Sequence, residues 1–256
     1  MLNRVGVEIE LVLLCFGLFF VAILYSSVGH GGASGYLAIL SLSSYANIIG
    51  LKQYAWCLNL VVAAISFYHY YNAGHFVKKL TFPFIIGSVP FAIIGGYIKI
   101  DENIYDSLLS ITLIWAAYKL YTIKNIVLDG EMKIPKLSVS IPIGAGIGFF
   151  SGVIGVGGGI FLSPLILLKR WAEPKNVAAT SALFIWINSL SGLFGAGFSN
   201  QLEINLEILL PFLICVLLGG YIGSKYGSLM EEYSIKKILI FVLIIAAIKR
   251  LLEILI

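Results

Sequence analysis

Gly29-His30-Gly31-Gly32-Ala33 and Gly155-Val156-Gly157-Gly158-Gly159 are the two stretches on which the reading of this chain turns. Each is a glycine run set inside apolar sequence, and they fall in matching places in the two halves. Glycine breaks helices, and in a bilayer broken backbone persists only where protein buries it or a polar cavity receives it. Interrupted apolar segments at corresponding points of two halves are the sequence sign of a binding site at a repeat interface.

Around these runs the chain is apolar throughout. Of 256 residues, 59% are hydrophobic and 12% charged, with a mean hydropathy of +0.98. A soluble domain carries about 25% charged residues. Stretches close to the roughly 20 apolar residues that span a bilayer recur from end to end, and no polar stretch is long enough for a soluble domain. One polytopic, all-α membrane domain therefore fills residues 1–256. The net charge of +4 comes from lysines and arginines in short connections, where they orient helices, so it implies no nucleic-acid partner. Cys15, Cys57 and Cys215 lie in apolar segments without metal-ligand spacing and read as core thiols. Arg4 ahead of the apolar run Leu11 to Tyr25 has the outline of a leader. Glu8 and Glu10 interrupt that outline, and the run matches the internal segment Pro142 to Ile154, so it is expected to be a mature membrane segment.

Four landmarks recur in the same order in the two halves. They are the glycine run, Ser66 with Ser189, Gly95-Gly96-Tyr97 with Gly219-Gly220-Tyr221, and the segment Leu113 to Lys119 with Leu243 to Lys249. Their offsets are 126, 123, 124 and 130 residues, which marks an internal duplication. Repeat 1 runs over about residues 8–123 and repeat 2 over about 138–254, joined by a polar linker at 124–137. Each repeat is expected to be a glycine-broken helical hairpin followed by three spans. These are Tyr54 to Tyr71, Phe82 to Ile98 and Ile104 to Tyr121, then Val177 to Phe198, Ile208 to Ser224 and Ile235 to Leu252. The arm from Gly159 to Arg170 has 12 residues. At 1.5 Å per residue it reaches ~18 Å, short of a ~30 Å hydrocarbon core, so it should be a half-helix. The hairpins either re-enter from one face or cross twice with short arms.

Lysines fix the orientation. Lys133 and Lys136, with Lys119 and Lys124 just before them, place the linker in the cytoplasm. Counting spans from it puts the loop with His75, Lys78 and Lys79 inside, together with Lys169, Arg170, Lys175, Lys225, Lys236 and Lys237. The Ser199 to Glu207 loop falls outside, with Glu203 and Glu207 and no basic residue. Equivalent loops on opposite faces make the halves inverted repeats. Lys249 and Arg250, on the outer side by this count, run against the rule.

A helix N-terminus offers unpaired N–H groups and about half a positive charge, which together hold an anion without a basic side chain. Gly31, Gly32 and Ala33 open one half-helix, and Gly157, Gly158 and Gly159 open the other. In an inverted repeat these ends face each other near the midplane, and an oxyanion is their natural occupant. Glycines that merely let helices approach are the plainer reading, and it suits Gly95-Gly96 and Gly219 to Gly223.

The run Gly155-Val156-Gly157-Gly158-Gly159-Ile160-Phe161-Leu162-Ser163-Pro164-Leu165, its weaker echo in the first half and the Ala179-Thr180-Ser181 helix start resemble the TauE/SafE family. The similarity covers essentially the whole chain. It implies a plasma (inner) membrane carrier of a prokaryote, moving sulfite or an organosulfonate. Ala33 replaces the last glycine in the first half, and Ala38 stands where Pro164 would align.

His30 is the one ionisable side chain this reading puts at membrane depth, which makes it a candidate for substrate or proton handling. Asn59, Ser66, Thr180, Ser181, Asn188 and Ser189 lie on the helices after the breaks, as pore-lining or interhelical partners. Gly29, Gly155, Ser26, Ser27 and Ser151 complete the candidate substrate site. No Gly-Lys-Ser/Thr follows either glycine run, and no strand-helix alternation or ribose-binding acid accompanies it. No metal-ligand spacing and no intramembrane carboxylate suggest catalysis, so no cofactor and no enzyme activity are expected. The expected partners are a small anion and the lipid bilayer. A passive small-anion channel is the alternative, since the same amides could line a pore.

Overall fold

The computed structural model describes residues 2–40, 48–101 and 132–229, with positions 104, 107, 108 and 111. Its described residues form helices and no strand. In chain order these are α1 (Leu2–Ser26), α2 (Ala33–Leu40), α3 (Ile48–Asn72), α4 (Lys78–Tyr97), α5 (Leu137–Ile154), α6 (Gly159–Leu168), α7 (Pro174–Phe198) and α8 (Leu206–Leu229). Within α1, α4, α5, α7 and α8 lie segments long and apolar enough to cross a membrane. Most of the span expected at 104–121, the whole of that at 235–252, most of the linker and the Leu113 to Lys119 and Leu243 to Lys249 pair fall outside the described residues.

Glycine and proline punctuate the helices where the backbone requires them. Gly155 closes α5 at φ 91° and Gly158 precedes α6 at φ 83°, both in the left-handed region that a side chain disfavours. In the first half, Gly29 and Gly32 stand at φ 74° and 106° in the corresponding positions. Pro174 opens α7 at a position where no N–H is needed. The 10 residues of α6 extend ~15 Å, a half-helix as its length in sequence indicates.

Packing is reciprocal between the halves. α1 lies on α8, and its counterpart α5 lies on α4. α3 packs on α8 as α7 packs on α4, α2 on α3 as α6 on α7, and α3 meets α7 at the centre. Small residues set the spacing: a Cβ at Gly87, Gly148 or Gly152 would run into the backbone carbonyl of Ile141, Ser88 or Ala92 across α4 and α5. Gly219 and Gly223 meet Phe19 and Ile23 of α1, and Gly227 meets Ser27 just after it, in the same way. Gly95 and Gly96 press on α5 and on Gly192 of α7, so these glycines are packing devices. Trp56, Asn59, Phe184 and Asn188 of the central pair are fully buried, whereas Val12, Leu13, Phe16, Ile86, Ile214 and Leu218 face outward as a lipid-compatible surface. The three cysteines are free and half-buried, and Cys15 and Cys57 pack against the core.

One expectation needs correction. The helices after the breaks start earlier than hydropathy indicates: α3 at Ile48 rather than Tyr54, and α7 at Pro174 rather than Val177. Hydropathy stops where charge begins, but backbone bonding continues into the charged turn. Lys52 is thereby carried into α3 and is only 6% exposed, so His30 is not alone among buried ionisable groups.

Candidate functional site

The two breaks meet. A Cβ added at Gly31 would strike the Asn59 amide oxygen and approach Ile185, and one at Gly157 would strike Asn59 Nδ2, Ile185 and Ser189 Oγ. Two runs 126 residues apart in sequence therefore converge on one pair of side chains, Asn59 of α3 and Ile185 of α7. Gly159 lies against Ile185 with His30 Cδ2 close by, and Gly29 presses on the backbone of Ala178. Only a residue without a Cβ permits this approach.

Polar side chains bind the junction. Asn59 Nδ2 donates to Ser189 Oγ at 3.2 Å, bridging α3 and α7. The imidazole of His30 uses both nitrogens: Nδ1 faces the Val28 carbonyl at 3.1 Å and Nε2 faces Ser163 Oγ at 3.2 Å. Since a carbonyl only accepts, Nδ1 carries the proton and Nε2 accepts from Ser163. Ser163 Oγ lies 2.6 Å from Ser181 Oγ, which extends the chain of bonds from the first break through α6 into α7.

Several buried polar atoms here have no partner. Among the described residues these are Tyr36 OH, Trp56 Nε1, Asn59 Oδ1, Ser66 Oγ, Ser151 Oγ and Asn188 Oδ1. Tyr36 borders Gly32, Asn59 borders Gly31 and Gly157, and Ser151 borders Gly158. Leaving such a group unpaired costs about 1 to 3 kcal/mol, and three of the six lie at the breaks. The helix ends add to these. Bonding in α2 starts with the Tyr36 N–H on Gly32, and in α6 with Phe161 and Leu162 on Gly158, which leaves the preceding N–H groups as orphans of the helix start.

Other sequence-selected residues point elsewhere. Ser26 and Ser27 bond back to Ile23 and Leu24 of their own helix. Thr180 pairs with Thr81 of α4 at 2.9 Å, and Asn188 Nδ2 donates to Ser88 of α4 and to the Phe184 carbonyl of its own helix. Ser163, Tyr36 and Trp56 take part without having been singled out in the sequence. Ser163 stands inside the Gly-Gly-Gly-Ile-Phe-Leu-Ser-Pro run, one helical turn past the break, and that spacing is the signal that could have found it. No group of three or more His, Cys, Asp or Glu able to hold a metal comes together among the described residues.

The sequence matches the sulfite exporter TauE/SafE family over residues 14–250. The chain belongs to the TauE/SafE family. A TauE/SafE relative, the probable membrane transporter protein y4hK of Sinorhizobium fredii, is 34% identical over 244 residues, covering 94% of this chain and 97% of that protein. The probable membrane transporter protein YdhB of Bacillus subtilis is 22% identical over 232 residues, covering 86% and 91%. A second protein of that organism, the probable membrane transporter protein YunE, is 31% identical over 108 residues, or 42% and 39%. No solved structure matches the chain. As a TauE/SafE member the chain is a multi-pass membrane transporter.

Proposed function

We propose that this TauE/SafE transporter is a secondary carrier that binds a small sulfur oxyanion, sulfite or an organosulfonate, between the N-termini of α2 and α6. One observation carries the reading: two glycine breaks from different halves meet at Asn59 and Ile185, amid buried polar groups that lack partners. The unpartnered groups include hydroxyls and an indole N–H, which are donors, and the helix ends add backbone N–H groups. Four of the six, the hydroxyls of Tyr36, Ser66 and Ser151 and the Trp56 N–H, can donate and suit a ligand rich in oxygen and negative charge, while Asn59 Oδ1 and Asn188 Oδ1 are acceptors that suit a protonated or hydroxyl-bearing group on it. The family description, sulfite exporter, supports sulfur as the central atom.

The reciprocal packing of the halves supports inverted repeats, with the site on their pseudo-twofold axis. Alternating access then follows from rocking one half against the other around a fixed anion. The origin of y4hK and YdhB in bacteria supports placement in a prokaryotic plasma membrane. A channel would need a continuous wet path, whereas Asn59, Ser189, Ser163 and Ser181 are buried where the breaks close on one another.

Counterflow in proteoliposomes tests the reading. Vesicles preloaded with sulfite should accelerate and saturate uptake of labelled sulfite. Uptake that rises linearly with concentration and ignores the internal anion would identify a channel instead.

A further inference from the structure

We propose that Lys52 is a substrate-binding residue, the cation that meets the transported oxyanion at the second glycine break. This rests on the oxyanion-carrier reading and names a side chain for it. Lys52 lies in the second turn of α3, and its Cβ occupies the space where a side chain at Gly155 would stand, 2.6 Å from that Cβ position. The stem of the lysine therefore runs along the backbone of the break itself. Its ammonium rests 5.5 Å from the centroid of the Trp56 ring, one helical turn further on.

Among the described residues the indole N–H has no acceptor and the ammonium has no carboxylate partner. Lys52 is 6% exposed, and among the described residues no carboxylate pairs with it. Trp56 is fully buried and its Nε1 has no hydrogen-bond partner, with the ring packed against Gly192 of α7. An ammonium without a carboxylate partner on a 6% exposed lysine, beside an unpaired indole N–H, is costly in an apolar interior, and a cation–π contact offsets only part of that cost. A group offering only acceptor oxygens and negative charge satisfies both at once. Asn59 and Ser66 follow at 7 and 14 residues from Lys52, hence on the same face of α3, and of their unpartnered atoms Ser66 Oγ can donate to an anion whereas Asn59 Oδ1 only accepts. The face thus presents polar groups over ~21 Å, starting at the lysine, with Asn59 at the junction of the two breaks. Lys52 is the only charged member of this series, which gives it the role of drawing the anion in and neutralising it.

The test measures sulfite, sulfate and methanesulfonate binding to the purified full chain in nanodiscs by calorimetry, with melting temperatures recorded in parallel. Lys52→Met should weaken binding roughly 10-fold or more while raising the melting temperature of the anion-free protein, because an unpaired buried charge has been removed. Lys52→Arg should retain most of the affinity, and Trp56→Phe, which keeps the ring but not the N–H, should lose part of it. Wild-type affinity in a folded Lys52→Met protein overturns the proposal. Loss of binding accompanied by a lowered melting temperature and no retention in Lys52→Arg overturns it as well, since that pattern marks a structural lysine. If Lys52→Met does not fold, Trp56→Phe decides, and unchanged affinity there overturns the proposal. Failure of all three anions to bind the wild-type chain overturns the oxyanion reading first and Lys52 with it.

Discussion

His30 shows how one side chain can serve both structure and transport. Its Nδ1–H is committed to the Val28 carbonyl, and its Nε2 accepts from Ser163, which in turn meets Ser181. A proton arriving at Nε2 would displace the Ser163 donor and turn that hydroxyl toward Ser181, rearranging a bond that joins the first break to α6 and α7. His30→Ala should therefore flatten the pH dependence of sulfite uptake in proteoliposomes while leaving the protein folded, at the cost of neutral hydrogen bonds of about 0.5 to 1.5 kcal/mol each and of the cavity left by the buried ring. A variant that keeps the wild-type pH profile would exclude His30 from proton handling. The position of His30 was legible in the sequence because it stands inside a glycine run. Lys52 was not, because it flanks an apolar stretch, where a lysine ordinarily orients a helix in the interface; only the packing of its stem on Gly155 reveals the burial.

Helices α4 and α5 carry the clearest lesson at the next scale. Gly148 and Gly146 lie two residues apart on α5, yet a Cβ at Gly148 would collide with the Ser88 carbonyl, whereas one at Gly146 meets nothing within 4 Å. Gly148→Ala should lower thermal stability in detergent by about 1 to 3 kcal/mol, and Gly146→Ala should be neutral or slightly stabilising. Equal melting temperatures for the two would mean that close helix approach does not hold this pair together. The half-helix α6 was readable from length alone, and the glycines of α4 and α8 were readable as packing residues from their small-residue patterning. Helix starts were not, since proline at the first turn of α7 and continued backbone bonding at the start of α3 lengthen both helices beyond their apolar windows. The hydroxyls of Ser26, Ser27 and Thr180 were likewise beyond reach of the sequence, because a serine or threonine in a helix can equally bond its own backbone or a neighbouring helix.

Across the whole molecule, α1 packs on α8 and α5 on α4 about the central α3 and α7, an arrangement compatible with the duplication expected from the sequence landmarks. Two docking contacts follow the same reciprocity: Gln53 of α3 bonds Gln201 and Glu203 after α7, and Asn176 of α7 bonds the His75 carbonyl after α3. If the halves are inverted, these contacts close opposite faces of the membrane. In a background lacking Cys15, Cys57 and Cys215, a cysteine at Asn72 should label only from the cytoplasmic side and one at Asn200 only from outside. Labelling of both from one side would rule out inversion. The central claim is narrower, that both breaks hold one anion. It is tested most directly by sulfite binding to folded Gly31→Ala and Gly157→Ala proteins, each of which would push a methyl group onto Asn59 and Ile185. Both should lose roughly 10-fold to 100-fold in affinity, the equivalent of about one charge-assisted hydrogen bond, although the substitutions lie in different halves. Wild-type affinity in both would contradict the account, and the glycine breaks would then be devices for packing alone.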